Sequence, residues 1–364
     1  MVIAKKIVDL TDSFHNELRY QIIAKIAFVE KPTISDSDSN SITSTKIFEP
    51  NKWWDGTDLL KHEASCSNDT PPPLYTGWHW PDHSCPYYRT AFKKYSKEFT
   101  ASKHDENPGH GSIYRRLYEK LKGSMLSHDE NHGLPPSHPF YRMLPSFFQT
   151  LVVLQKLQIK YTLVLRTFGS DLDDIAQSLR DFASGKHPQF PDFREPKLLL
   201  EERHMFRGRY REGDNPKSGS VYDLFDWNDF STKIASGDDE LLNIIEGLDV
   251  CGIQDDYEYW DLHNNSPTAG KPVWVNTANT ASEDKSSWQH HLFFDDNIHN
   301  DAGDSIVAVR SKRSGQWISL SGQETIEMQF KYLVRVPTVA AILQNDWFLQ
   351  QIAFSQKILH SAQK

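Results

Sequence analysis

His290-His291-Leu292-Phe293-Phe294-Asp295-Asp296-Asn297 is the stretch on which the fold turns. Three apolar residues run directly into two adjacent carboxylates and an amide. A short apolar run bounded by polar residues reads as a buried strand of an α/β sheet. In open parallel sheets ligands sit beyond the carboxyl ends of the strands, where Asp295 and Asp296 fall. Two like charges side by side in a half-buried place repel, so a cation between them is expected, most simply Mg²⁺. A solvated turn after a strand is the competing reading of this stretch taken alone.

Upstream, Gly270-Lys271-Pro272 leads into Val273-Trp274-Val275, a strand candidate whose lysine stands 24 residues before Asp295. Downstream, Ile306–Val309 and Leu333–Val336 read as further strands, and a long apolar-faced helical region, as one helix or two, runs from Pro337-Thr338 to about His360. Further back, Leu144, Phe147, Phe148, Leu151, Leu154 and Leu157 recur at helical spacing, which predicts an amphipathic helix over 143–158. Tyr161–Leu165 is a strand ending at Arg166-Thr167-Phe168-Gly169. Ser170-Asp171-Leu172-Asp173 is a Ser-x-x-Asp capping pattern opening a helix that Gly185 stops. Thr167 thus stands at a strand tip beside a helix start, an arrangement suited to a phosphate.

The chain opens on another such unit. Val2–Val8 is a short strand candidate ending in Asp9-Leu10-Thr11-Asp12-Ser13. From about Phe14 to Gly133 the character changes. A Ser- and Asp-rich loop over Pro32–Ser44 is followed by sequence dense in Trp, Tyr, His and Pro, such as Trp53-Trp54 and Trp78-His79-Trp80-Pro81-Asp82-His83. This is read as a cap or insertion lobe, its tryptophans core or a stacking surface. Cys66, His79, His83 and Cys85 are conceivable zinc ligands there, with ordinary loop residues the plainer reading. Residues 186–250 are expected to hold a smaller insertion; in it Arg203, Arg207, Arg209 and Arg211 form a solvated loop or help to hold an anionic substrate.

Composition narrows the class. The 364 residues can bury a large core, and a net charge of −9 without a long basic run argues against nucleic acid and anionic membranes. Three cysteines are too few for a disulfide framework, and no apolar run reaches membrane-spanning length. A cytoplasmic setting is the expectation. Aromatic residues make up 12% of the chain, a candidate surface for a protein partner within the lobe.

Four elements line up in chain order: a strand ending Asp9-x-Thr11, a strand ending Thr167, Lys271, and a strand ending Asp295-Asp296. A carboxylate attacks a phosphoryl group only when both negative charges are offset, which a lysine and Mg²⁺ do. The set resembles the haloacid-dehalogenase-like (HAD) superfamily, mostly phosphatases and phosphotransferases. The resemblance covers about a fifth of the chain. It implies a Rossmann-like parallel sheet flanked by helices, made of residues 1–13 and 134–364, with 14–133 as cap. It also implies Asp9 as the nucleophile that becomes an aspartyl-phosphate, and Mg²⁺ held by Asp9, the carbonyl of Thr11 and Asp295, with Asp296 supporting. Thr167 and Lys271 would bind the phosphate of a small phosphorylated substrate, with Lys285 as the reserve lysine. One departure matters: the family's second acidic residue, its general acid and base, is Thr11 here, and threonine does not titrate near neutral pH. The implied activity is therefore a Mg²⁺-dependent phosphatase or phosphotransferase, or else a catalytically weak or inactive HAD-like binding or scaffold protein.

Overall fold

The computed structural model describes, besides five short strands before residue 87, residues 120–126, 132–213, 220–275, 290–298, 302–303 and 305–362. The chain divides into two compact units, Met1–Val8 with Met125–Lys364, and Asp9–Ser124. In the first lies β1, Val2–Ala4. In the second, β2 (Ala27–Glu30), β3 (Lys52–Trp54), β4 (Leu59–Lys61) and β5 (Ser84–Pro86) form an antiparallel sheet in the order β4-β3-β2-β5.

The remainder of the first unit is mixed α/β. The periodic segment at 143–158 forms a 3-10 turn, Pro139–Arg142, and then α1, Pro145–Lys156. Pro145 at the first turn costs no hydrogen bond, since that N–H has no intrahelical partner anyway. The helix buries Phe147, Phe148, Leu151 and Leu154. β6 (Leu163–Thr167) is buried along its whole length, and α2 (Leu172–Ala183) follows. Gly185, at φ 73°, ends that unit in the left-handed conformation glycine adopts without penalty. The expected Ser170 cap does not form: the N-cap residue is Asp171, whose side chain is engaged by Thr167 instead.

Residues 186–250 extend the sheet. β7 (Met205–Glu212) runs parallel to β10 (Val250–Gln254), while β8 (Ser220–Asp226) and β9 (Lys233–Ser236) add on antiparallel, with α3 (Asp238–Glu246) leading into β10. The sheet order is β1-β6-β10-β7-β8-β9, with β1, β6, β10 and β7 mutually parallel, so the sheet is mixed and not all-parallel. After α4 (Tyr257–Leu262), β11 (Lys271–Val275), β12 (Phe293–Asp295), β13 (Val307–Arg313) and β14 (Gln316–Ser319) follow. Then come α5 (Gly322–Glu327), closed by a Ser321/Glu324 capping box, β15 (Leu333–Arg335), α6 (Thr338–Leu343) and α7 (Trp347–Ala362). β11, β13 and β14 make a second open sheet. β12 pairs parallel with β15 and lies alongside β1. One apolar core joins these layers, drawing Val164, Cys251 and Ile253 from the large sheet, Val273 and Val309 from the second, and Phe293 and Leu333 from the β12–β15 pair. Among the described residues no helix is long and apolar enough to cross a membrane.

Candidate active site at the strand ends

β6, β10 and β12 are apolar until their last one or two residues, so their polar side chains gather where each strand runs out of the core. β12 ends in Asp295, 1% exposed, and β11 begins with Lys271, 2% exposed. Lys271 Nζ donates to Asp295 Oδ2 at 3.0 Å. Asp295 Oδ1 accepts the backbone N–H of Asn297 at 2.9 Å, and Asn297 Nδ2 reaches Asp296 Oδ1 at 3.3 Å. The lysine ammonium also stands 4.8 Å from the centre of the Phe168 ring, itself stacked on Trp260 at 5.1 Å. Taking two ions out of water costs several kcal/mol each, recovered only with close pairing and saturated hydrogen bonds.

A second buried pair adjoins the first. Arg166, the next-to-last residue of β6, grips Asp255 with Nε at 2.9 Å and also through Nη2, and its Nη1 donates to the carbonyl of Pro272 at 2.8 Å. Tyr222 on β8 donates its hydroxyl to the same carboxylate. Burial by itself would lower the Arg166 pKa, but the Asp255 charge outweighs it and holds the guanidinium above its ordinary value. Burial, reinforced by Asp255, keeps the Tyr222 phenol well above its own, so it remains a donor. A third pair lies on the β11–β13 side: Arg310 meets Asp238 at 2.8 Å, and Trp274 Nε1 donates to Asp238 at 2.7 Å.

Of the residues singled out from the sequence, the structure brings Lys271 and Asp295 into contact and sets Asp296 beside them. Thr167 ends β6, buried, with its backbone carbonyl accepting the Asp255 N–H at 2.7 Å. Its hydroxyl proton goes to Asp171 Oδ1 at 2.6 Å while its oxygen accepts the Gly169 N–H at 2.9 Å. Asp9, Thr11 and Lys285 lie outside the described residues, as do Cys66, His79 and His83; Cys85 is described only as backbone of β5. β1, described over Val2–Ala4 of the expected Val2–Val8 strand, lies between β6, which ends in Thr167, and β12, which ends in Asp295.

The donor set suits a hard cation in part. Asp295 uses about two of the roughly four acceptor positions of a carboxylate, and Asp296 follows it directly. Among the described residues no three acidic, histidine or cysteine side chains converge as a metal cluster.

Asp255 was missed in the sequence, and Arg166 stood out only as a neighbour of Thr167, although a signal for both was present. Val250-Cys251-Gly252-Ile253-Gln254-Asp255-Asp256 repeats the grammar of Phe293-Phe294-Asp295-Asp296, an apolar strand running into an acidic pair. Arg166 sits inside an otherwise apolar strand, where only a buried partner compensates it. Compared with protein-family models, curated proteins and solved structures, the chain finds no significant match.

Proposed function

We propose that this protein is a Mg²⁺-dependent phosphatase or phosphotransferase of the HAD type, working on a small phosphorylated substrate through an aspartyl-phosphate on Asp9. The observation that carries the reading is the buried Lys271–Asp295 pair, at the end of a strand lying next to the one that leads to Asp9. The neighbourhood of β6, β1 and β12 supports a HAD-like core of the Rossmann kind, because the strand that precedes the first motif in sequence lies between those that end in Thr167 and Asp295.

In this reading a carboxylate oxygen of Asp9 attacks phosphorus, the bond from phosphorus to the leaving oxygen breaks, and that oxygen departs with the electron pair. Lys271 offsets negative charge at the phosphoryl group and holds Asp295 in place. Asp9, the Thr11 carbonyl and Asp295 would hold Mg²⁺, with Asp296 supporting, and the ion would supply the remaining positive charge. Thr11 offers no proton near neutral pH, so the leaving oxygen takes one from water, and no carboxylate at that position activates water for the second step. The aspartyl-phosphate is accordingly long-lived, which favours transfer to an acceptor over hydrolysis.

One observation favours a second reading, a catalytically weak or inactive HAD-like binding or scaffold protein. The Thr167 hydroxyl proton is already committed to Asp171, so an arriving phosphate must displace a charge-assisted hydrogen bond. Hydrolysis of an aryl phosphate with Mg²⁺ separates the two. The first reading expects measurable turnover that Asp9→Asn removes, and activity intact in Asp9→Asn overturns it. Absence of turnover together with retained binding of a beryllium fluoride phosphate mimic selects the second.

A further inference from the structure

Alternation along β7 puts Arg207, Arg209 and Arg211 on one face of the sheet, opposite Phe225, Asp223 and Val221 of β8. Their fates differ. Arg211 Nε donates to Asp223 at 3.0 Å, and Lys233 Nζ and Ser236 Oγ reach the same carboxylate at 2.6 and 2.7 Å. Asp223 therefore already accepts from two cations and a hydroxyl. Arg209, directly across from it, donates only to the carbonyl of its neighbour Gly208, at 2.6 Å, and no described carboxylate pairs with it.

The Arg207 guanidinium lies over two rings, 4.2 Å from the centre of Trp227 and 4.0 Å from that of Phe230, the latter residue 54% exposed. Its Nε donates to the carbonyl of Trp227 at 3.1 Å and its Nη1 to Gln254 Oε1 at 2.6 Å, leaving Nη2 available. Partial burial and the nearby charge of Arg209 both depress the Arg207 pKa, and the more weakly felt Asp173 of α2 opposes them. Two guanidiniums thus share a face where the one facing carboxylate is already spent. A pre-oriented arginine with free N–H groups is the usual receptor for a phosphate or carboxylate.

Gln254 places this face. It accepts from Arg207 and donates Nε2 to the carbonyl of Gly169 at 2.9 Å, so Arg207 is one side chain away from the loop carrying Thr167. We propose that Arg207 and Arg209 form a second anion subsite, beside the Thr167 loop and separate from Lys271, and that the ligand carries two anionic groups, one for each place. The two-anion substrate class rests on the phosphoryl-transfer reading; the anion subsite itself does not.

Calorimetric titration of the full chain with inorganic phosphate and with pyrophosphate tests it, using wild type, Arg209→Met and Lys271→Met. The expected result is pyrophosphate binding weakened about ten- to a hundredfold in Arg209→Met, the loss of one charged hydrogen-bonding group. Arg209→Lys should recover part of it, since charge returns without the planar fork. Binding by Lys271→Met that remains sensitive to a second change, Arg209→Met, assigns the anion to this face even if the strand-end reading fails. Affinity unchanged in Arg209→Met but lost in Lys271→Met overturns the subsite while leaving the phosphoryl-transfer reading intact. No binding of either anion by the wild type overturns the subsite as well.

Discussion

Replacing Lys271 by Met removes one member of a pair in which both side chains are almost wholly out of water, 2% and 0% exposed. Methionine keeps most of the stem, so packing against Phe168 and Phe293 is largely preserved and the change isolates the charge. What is left is a buried Asp295 carboxylate with the Asn297 N–H as its remaining partner at that end. Breaking a buried ion pair from one side costs about 3–5 kcal/mol, a large share of the roughly 5–15 kcal/mol that holds a domain folded. Taking away both charges is far milder, because the desolvation cost of each ion disappears with it. Urea unfolding of wild type, Lys271→Met, Asp295→Asn and the double variant should show a double variant more stable than Lys271→Met, with a coupling of about 2 kcal/mol or more. Additive losses, or a single-variant loss below about 1 kcal/mol, refute the claim that this pair is both buried and interdependent.

Two further outcomes follow from the same geometry. Gly208→Ala should destabilise the protein by about 1–3 kcal/mol in the same unfolding assay, because the new methyl would lie 1.7 Å from the Tyr222 hydroxyl oxygen and force that ring off Asp255; stability unchanged contradicts it. His187, packed among Phe140, Phe148 and Phe182, has its pKa lowered to about 4, first by burial and then by the neighbouring His138 and His132. Its unfolded form takes up a proton near pH 6.5. Between about pH 6.5 and 4 the unfolded state therefore binds more protons than the folded one, and stability falls as the pH falls, by up to about 1.4 kcal/mol per pH step of one. His187→Phe should flatten that part of the stability–pH curve, and an unchanged slope there assigns the acid sensitivity to another group.

Much of the secondary structure was legible locally. The helix at Pro145–Lys156 and the strand at Leu163–Thr167 announce themselves by spacing, and Gly185 marks a helix end because its left-handed backbone disfavours other residues. The Ser170 cap failed for a physical reason also visible only in three dimensions: Asp171, not Ser170, is the N-cap residue, and its side chain is taken by Thr167. The segment 186–250 looked unlike the sheet because β7 and β8 are half-polar. Two-sided burial, which holds β6 buried along its whole length, gives way toward the edge of the sheet to one face in the core and one carrying Arg207, Arg209 and Arg211.

By itself the sequence marked the helix at Pro145–Lys156, the strand at Leu163–Thr167 and the acidic pair at the end of Phe293–Asp295, because those depend on neighbours within a turn or a pleat. It marked Lys271 and Asp295, 24 residues apart, as members of one set. It could not determine which charges meet across the core, because a charge chooses its partner by position in space. Arg166 and Asp255 are 89 residues apart, and Arg310 and Asp238 are 72 apart. Only the pairing of β6 with β10, and of β11 with β13, brings such groups close, and only burial makes the pairing obligatory.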